Sequence, residues 1–294
     1  MGTSTSSAGA GAGSPFDPPW LDSAGDGIDQ SNSDAQLQPS SEGTSDSTTE
    51  SPEETTSDSG SPHGEQSEAA TPGIAPPGRY KDARRLMGRF IRSGDRSDIG
   101  RAVGSMVNKG MGGPSRAAGR MKTSAVAAAA LGGFLAAARE GTNPNIAEWV
   151  ESARARGLSA RDAALEVIQQ LAPDGGSVDE ESAKHAMNQA IIHLYDVDPT
   201  ADILAMSDEQ IASVMGYTLA FDVFNRIQLE LGRVFEKLKY SAQVVHQRLG
   251  EVQDYLLVVV GDAMKAARSG GHVRSVQDIA KLALRNTLNV FGAQ

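Results

Sequence analysis

The sequence contains no cysteine. Disulfides, thiolate catalysis, CxxC zinc sites and iron–sulfur clusters are therefore excluded, and the composition fits a reducing compartment. The first residues have neither the basic stretch nor the apolar stretch that begins a secretory signal. The longest uncharged, mostly apolar run, at 123–138, is shorter than the ~20 residues that a membrane-spanning helix needs. We therefore expect a cytoplasmic protein without a transmembrane segment.

Basic residues are missing from positions 1–78, which contain 13 Asp or Glu and no Lys or Arg. Ser, Thr, Gly and Pro make up 44 of these 78 residues, so the segment has too little apolar surface to offset the entropy of ordering. The rest of the chain is long enough for a folded core. We predict a disordered acidic Ser/Gly/Pro-rich tail at 1–78, a basic Gly/Ala-rich helical segment at 79–140 and an α-helical bundle at 141–294.

Catalytic signatures are also missing. The chain has no Gly-Lys-Ser/Thr phosphate loop, no G-x-S-x-G elbow and no H-E-x-x-H motif. Its five histidines are scattered, and His185 and His193 stand eight residues apart on one predicted helix, which separates them by ~12 Å. We therefore predict a protein that is not an enzyme, with no catalytic residues, no cofactor and no metal ligands.

The chain beyond residue 140 has clear helix signals. Asn143-Pro144 is typical of a helix start, and Ser177 with Glu180 and Ser207 with Gln210 have the spacing of capping boxes. Apolar residues then keep helical spacing from 207 to 238 and again from 245 to 263, and the last helix is predicted at about 276–291. No alternation typical of strands is sustained, so the sequence predicts an all-α fold that packs as a helical bundle.

The strongest electrostatic feature is the stretch 79–122, where 12 Lys or Arg face three Asp, a net charge of +9. Three interpretations remain open: pairing with an acidic partner or with the chain's own acidic tail, contact with nucleic-acid phosphates, or binding to anionic lipid. Aromatic residues are scarce here, which disfavours a platform for base stacking. The candidate basic patch consists of Arg84, Arg85, Arg89, Arg92, Arg101, Arg116 and Arg120.

Two places in the tail differ from their surroundings. Small residues follow Met1, so we expect removal of the initiator Met and a mature N-terminus at Gly2. The run Pro15–Asp22 combines prolines, which favour an extended backbone, with aromatic anchors. It is a candidate docking motif for a partner protein, formed by Phe16, Pro18, Pro19, Trp20 and Leu21.

Several segments, taken in order, resemble one family. They are Gly2–Ser7, Pro15–Asp22, Pro76–Tyr80, Phe90–Gly94, Gly110–Arg116 and Pro173–Glu180. Together they resemble the QatB family, the non-enzymatic component of the bacterial Qat anti-phage defence operon. The resemblance covers both ends of the tail, the basic region and the first half of the helical body, and beyond about residue 200 it extends only to helical character.

The resemblance implies three partners from the same operon: an ATPase, a QueC-like enzyme and a TatD-like nuclease. QueC-type enzymes activate a 7-deazaguanine carboxylate with ATP and deliver an amine nitrogen to it. We therefore hypothesise that Gly2 is the acceptor of such a modification, with Thr3, Ser4, Thr5 and Ser6 read by the enzyme and the helical body serving as an assembly scaffold. The alternative is a nucleic-acid or membrane adaptor that uses residues 79–122.

Overall fold

The computed structural model describes residues 78–171, 177–237, 240–269 and 274–294. Within these ranges the chain is helical and contains no strand, which confirms the predicted all-α fold. The predicted tail lies outside the described residues except for Gly78. The helices are α1 (Lys81–Ser93), α2 (Ser97–Ser105, continued by a π-helical turn at Met106–Gly110), α3 (Pro114–Arg120), α4 (Lys122–Glu140), α5 (Pro144–Ala155), α6 (Ala160–Leu171), α7 (Val178–Val197), α8 (Asp208–Leu231), α9 (Arg233–Lys237), α10 (Ala242–Arg268) and α11 (Val276–Gly292).

Polar side chains start the helices where the sequence indicates. The Asn143 side chain accepts hydrogen bonds from the first backbone N–H groups of α5, and Pro144 occupies the first turn. Ser177 and Ser207 form complete capping boxes at α7 and α8. These caps satisfy donors that have no partner inside the helix, so local sequence alone places these helix starts.

The predicted helix from 207 to 238 is interrupted at Gly232. Helix α8 ends at Leu231, and the Gly232 N–H donates to the Gln228 carbonyl at 2.7 Å. A Cβ atom at this position would collide with that same carbonyl oxygen. Glycine therefore lets the chain close tightly over the end of α8 before it continues as the short helix α9.

Helix α8 is the centre of the bundle and buries 14 of its 24 residues. Helices α7, α10 and α4 pack around it, and α11 packs against α10 and α4. The Ala-rich helix α4 buries 11 of its 19 residues, because its small side chains let the neighbouring helices approach closely. A Cβ at Gly132, for example, would overlap the Met215 side chain of α8. Burial of this apolar surface is the main source of stability.

The basic helices α1 to α3 belong to the same core as the bundle. Phe90 and Ile91 of α1 and Val103 of α2 are buried in one cluster with residues of α8 and α11. Helix α2 meets α11 so closely that a Cβ at Gly104 would lie 2.6 Å from the Phe291 carbonyl oxygen. These contacts fix how the cationic side chains of α1 and α2 face one another.

Among the described helices, none is long and apolar enough by itself to cross a membrane. Only the successive pair α3 and α4, bent by 60° at its junction, passes that test of length and composition.

Candidate functional site

The structure separates the arginines of the predicted basic patch into two groups. Arg84 belongs to the first group, whose members are bound internally. Its Nε and Nη2 donate to the Glu230 backbone carbonyl at 3.1 and 2.9 Å. That carbonyl lies in the last turn of α8, where helix carbonyls lack intrahelical donors and carry partial negative charge. Arg84 therefore joins α1 to the end of the central helix.

Arg89 is also bound internally, through the buried carboxylate of Asp98 on α2. Arg89 Nε donates to Asp98 Oδ2 at 2.6 Å, and its Nη2 donates to Oδ1. Asp98 is only 2% exposed, and the hydrogen bonds from Arg89 hold its pKa below the ordinary value despite that burial. The pair is a bidentate interaction that fixes α1 against α2.

A second group of cations faces solvent around a groove of about 270 Å³ between α1 and α2. Arg85 and Lys109 are each 66% exposed, and Arg101 is 51% exposed. Lys109 Nζ lies 2.6 Å from Asp82 Oδ2, which keeps the pKa of Asp82 below its ordinary value. We call this feature the cationic groove; it is lined by Asp82, Arg85, Leu86, Arg101, Gly104, Ser105, Asn108, Lys109 and Gln294.

The π-helical turn at the end of α2 contributes Asn108 and Lys109 to the cationic groove. Asn108 Nδ2 donates to the Gly292 carbonyl at 2.8 Å, which anchors this turn to the end of α11. The Ser105 hydroxyl, one turn earlier, is buried without a hydrogen-bond partner. An irregular helical turn of this kind is frequent at functional sites.

The remaining members of the predicted patch, Arg92 on α1 and Arg116 and Arg120 on α3, are exposed. None of them forms an ion pair with a described acidic residue, and none lines the cationic groove. The proposed acceptor Gly2, the recognition residues Thr3 to Ser6 and the docking motif at 16–21 lie outside the described residues.

A second polar cluster lies inside the bundle. Asp222 of α8 is 6% exposed and accepts hydrogen bonds from Ser124 of α4 and, at 2.5 Å, from Ser182 of α7. Burial raises the pKa of Asp222 above its ordinary value, although the two hydroxyls and the nearby charge of Arg226 act in the opposite direction. Arg226 in turn pairs with Asp179 at 2.5 Å. The carboxylate joins α8 to α4 and α7 and therefore helps to hold the bundle together.

Sequence reasoning did not single out Asp222. The signal that points to it is a lone acidic residue within the apolar run Phe221–Phe224 at the middle of a long helix. A buried carboxylate requires hydrogen-bond donors from other elements, and sequence cannot identify these before the helices are packed. Lys109, Ser105 and Asn108 were missed for a similar reason, because they become neighbours of Arg85 only when α1 and α2 pack together.

No group of three or more His, Asp or Glu residues among the described residues is arranged to hold a metal ion. His193 instead packs edge-to-face against Tyr217 and Phe221, while His63 and His272 lie outside the described ranges.

Comparison with models of known protein families assigns the chain to a family. A family model described as Qat anti-phage system associated protein QatB matches residues 112–291, more than half of the 294 residues. The chain belongs to the QatB family. This confirms the resemblance, and membership makes the chain a component of an anti-phage defence system. No curated protein and no solved structure matches it significantly.

The match to the QatB family runs from the turn before α3 to the last turn of α11. It therefore extends well past residue 200, where the resemblance in sequence rests on helical character alone. Arg116, Arg120 and the Asp222 cluster lie inside the matched range. Helices α1 and α2 precede it, and with them every residue that lines the cationic groove except Gln294, which follows it.

Substituting Arg84 should destabilise the fold, whereas substituting its neighbour Arg85 should not. Arg84→Ala removes two hydrogen bonds from the Glu230 carbonyl and leaves that group unsatisfied, so the free energy of unfolding should fall by about 1–3 kcal/mol. Arg85→Ala removes an exposed cation and should change it by less than about 0.5 kcal/mol. Urea denaturation followed by circular dichroism measures both, and equal effects would contradict the division of the arginines into two groups.

The free energy of unfolding of the Asp222→Asn variant should increase relative to that of the wild type as pH rises. Because the folded-state pKa of Asp222 is raised, the folded protein holds this proton more tightly than the unfolded chain. The stabilisation that this proton gives the folded wild type is present below the unfolded-state pKa of about 3.9. It is lost as pH rises through the raised folded-state pKa. Urea denaturation from pH 4 to 8 gives the difference, with the exposed Asp254→Asn as control; a difference that stays constant or falls would contradict the buried assignment.

Proposed function

We propose that the chain is a non-enzymatic protein substrate and scaffold of its defence complex, and that the modification site is the α-amine of Gly2. The observation that carries this proposal is chemical. The first 78 residues contain no lysine, so after removal of Met1 the α-amine of Gly2 is the only amine nucleophile in that segment. The residues after Gly2, which are Thr3, Ser4, Thr5 and Ser6, have small side chains. Small neighbours favour access of an enzyme to the α-amine.

The pKa values of the two kinds of amine separate them. An α-amine has a pKa of about 7.7–8.0, so a substantial fraction is unprotonated near neutral pH, whereas lysine at about 10.4 is almost fully protonated. In the proposed step the unprotonated nitrogen of Gly2 attacks the carbon of an enzyme-activated deazaguanine carboxylate. The new C–N bond replaces the bond to the activating group, and the amine loses a proton to solvent. Glycine has no side chain to hinder that attack.

The QueC-like enzyme of the same operon is the partner we propose for this step. It would read Thr3, Ser4, Thr5 and Ser6 next to the amine and hold the motif at 16–21 through Phe16 and Trp20. Aromatic side chains bury large areas at protein interfaces, and the neighbouring prolines reduce the entropy lost on binding. The ATPase and the TatD-like nuclease are the further partners that we propose for the helical body.

The scaffold role is supported by the way in which the basic helices are held. Because α1 to α3 share one hydrophobic core with the bundle, and Arg84 and Arg89 hold α1 against α8 and α2, the exposed cations lie on a surface that is anchored to the bundle. Surfaces of this kind are suited to recognition of acidic partners. The second candidate function, a nucleic-acid or membrane adaptor, draws on the same exposed cations, Arg85, Arg101 and Lys109.

Intact mass spectrometry of the chain purified from cells that express the whole operon tests the modification. We expect the initiator Met to be absent and the N-terminal peptide to carry an added mass on the amine of Gly2. Deletion of the QueC-like gene should return the peptide to its unmodified mass. An N-terminus altered only by loss of Met in the presence of the full operon would overturn the proposal.

Removal of the aromatic anchors should lower the extent of modification. Phe16→Ala with Trp20→Ala deletes the apolar contacts proposed to hold the tail on the enzyme, so the modified fraction should fall by at least threefold at early times. The matched control is Ile28→Ala with Leu37→Ala, which removes two apolar side chains from the same acidic segment outside the motif. The same mass measurement compares the two, and a similar loss in both would contradict a specific docking motif.

A further inference from the structure

We propose that the acidic stretch at 42–68 of this chain docks on the cationic groove between α1 and α2. The interaction is intramolecular, with carboxylates of the N-terminal segment as the ligand and Arg85, Arg101 and Lys109 as the receptor. The docking does not depend on modification at Gly2, so an experiment that contradicts one of these two proposals leaves the other intact.

The groove retains positive charge after its internal pairs are counted. Lys109 is paired with Asp82 at 2.6 Å, while Arg85 lies 3.9 Å from the same carboxylate. Arg101 makes a 3.4 Å contact with Asp98, whose main partner is Arg89. Three cationic side chains thus face one acidic side chain, Asp82, within the lining. The position of Asp82 also shows the geometry in which a carboxylate is held there.

The proposed ligand has the complementary charge at high density. Residues 42–68 contain no Lys or Arg, whereas residues 123–294 contain 15 basic and 21 acidic side chains and are negative as a whole. The segment is therefore repelled by most of the body and attracted by α1 and α2. Its carboxylates belong to Glu42, Asp46, Glu50, Glu53, Glu54, Asp58, Glu65 and Glu68.

The chain enters the fold beside the groove. Tyr80, two residues after Gly78, packs its ring against Gly110 so closely that a Cβ there would overlap the ring. Gly110 follows Lys109 directly, and the Lys81 N–H donates to the Gly78 carbonyl at 2.8 Å. The N-terminal segment therefore joins the folded body within a few residues of the groove's own cations.

Because residues 42–68 are covalently connected to the folded body, weak ion pairs are sufficient for docking. An exposed pair contributes only about 0–1 kcal/mol, but a short covalent tether supplies an effective concentration in the millimolar range. Glu68 is ten residues from Gly78, a distance of up to about 33–36 Å when extended. Several carboxylates can therefore take turns in pairing with Arg85, Arg101 and Lys109, and the entropic cost of closing the loop stays small.

Zero-length carboxyl-to-amine crosslinking of the full chain, read by mass spectrometry, tests the docking. Because residues 2–78 contain no lysine, tail-to-body links through lysine join a tail carboxylate to a body amine. We expect links from residues 42–68 to Lys109 and Lys81 in low salt, and at least a threefold loss in 0.5 M NaCl because salt screens exposed charges. The Asp82–Lys109 link, across 2.6 Å, is the internal positive control.

Charge reversal provides a matched pair of variants. Arg85→Glu with Arg101→Glu keeps Lys109 as the reporter amine and should lower its links to residues 42–68 at least threefold. Lys281→Glu with Arg285→Glu reverses two exposed cations of α11 outside the groove and should leave those links unchanged. The salt titration of the wild type gives the same information if a variant fails to fold.

Two results would overturn the proposal. One is tail carboxylates that link as often to Lys184, Lys265 and Lys281 as to Lys109. The other is the absence of tail links while the Asp82–Lys109 link forms. Protection of Lys109 by a duplex DNA probe, in a chain that shows no tail links, would instead assign the groove to nucleic-acid phosphates.

Discussion

The arrangement of the basic helices depends on one constraint, which is that a buried carboxylate or a helix-end carbonyl must meet a hydrogen-bond donor. Helix α1 packs on the bundle with Phe90 and Ile91 buried, and this places Arg84 and Arg89 beside two such acceptors. The Glu230 carbonyl at the end of α8 and the Asp98 carboxylate of α2 receive them. The interruption of α8 at Gly232 is part of the same arrangement, because it ends the central helix where Arg84 reaches it.

This constraint divides a cationic sequence into structural and exposed parts. Arg84 and Arg89 connect α1 to α8 and to α2, while Arg85, Arg101 and Lys109 are exposed around a groove, where Lys109 also pairs with Asp82. Because these side chains are exposed, their ion pairs with Asp82 and Asp98 contribute little to folding, and the cations are accessible to an acidic ligand. The basic residues at 79–122, which are alike in the sequence, thus have two different roles in the folded chain: some connect helices and others remain exposed.

The chain's place in an anti-phage system gives the uneven charge distribution a functional context. A body with an exposed cationic face is joined to an acidic segment whose α-amine differs chemically from every lysine side chain in the protein. In the roles proposed above, the folded part holds the assembly and the N-terminal part is presented to an enzyme. Docking of acidic residues on α1 and α2 would bring these two parts into one mechanism, because it sets where the terminal amine can reach.

The sequence by itself determined the all-α class, the helix starts at Asn143, Ser177 and Ser207, and the family. These features depend on local hydrogen bonding and on the spacing of apolar residues, which are readable along the chain. Tertiary structure decided the break at Gly232, the burial of Asp222 between Ser124 and Ser182, and the choice of which arginines remain exposed. Each of these depends on a partner far away in sequence (Arg84 and Glu230 are 146 residues apart), and only the packing of the helices determines which atoms meet.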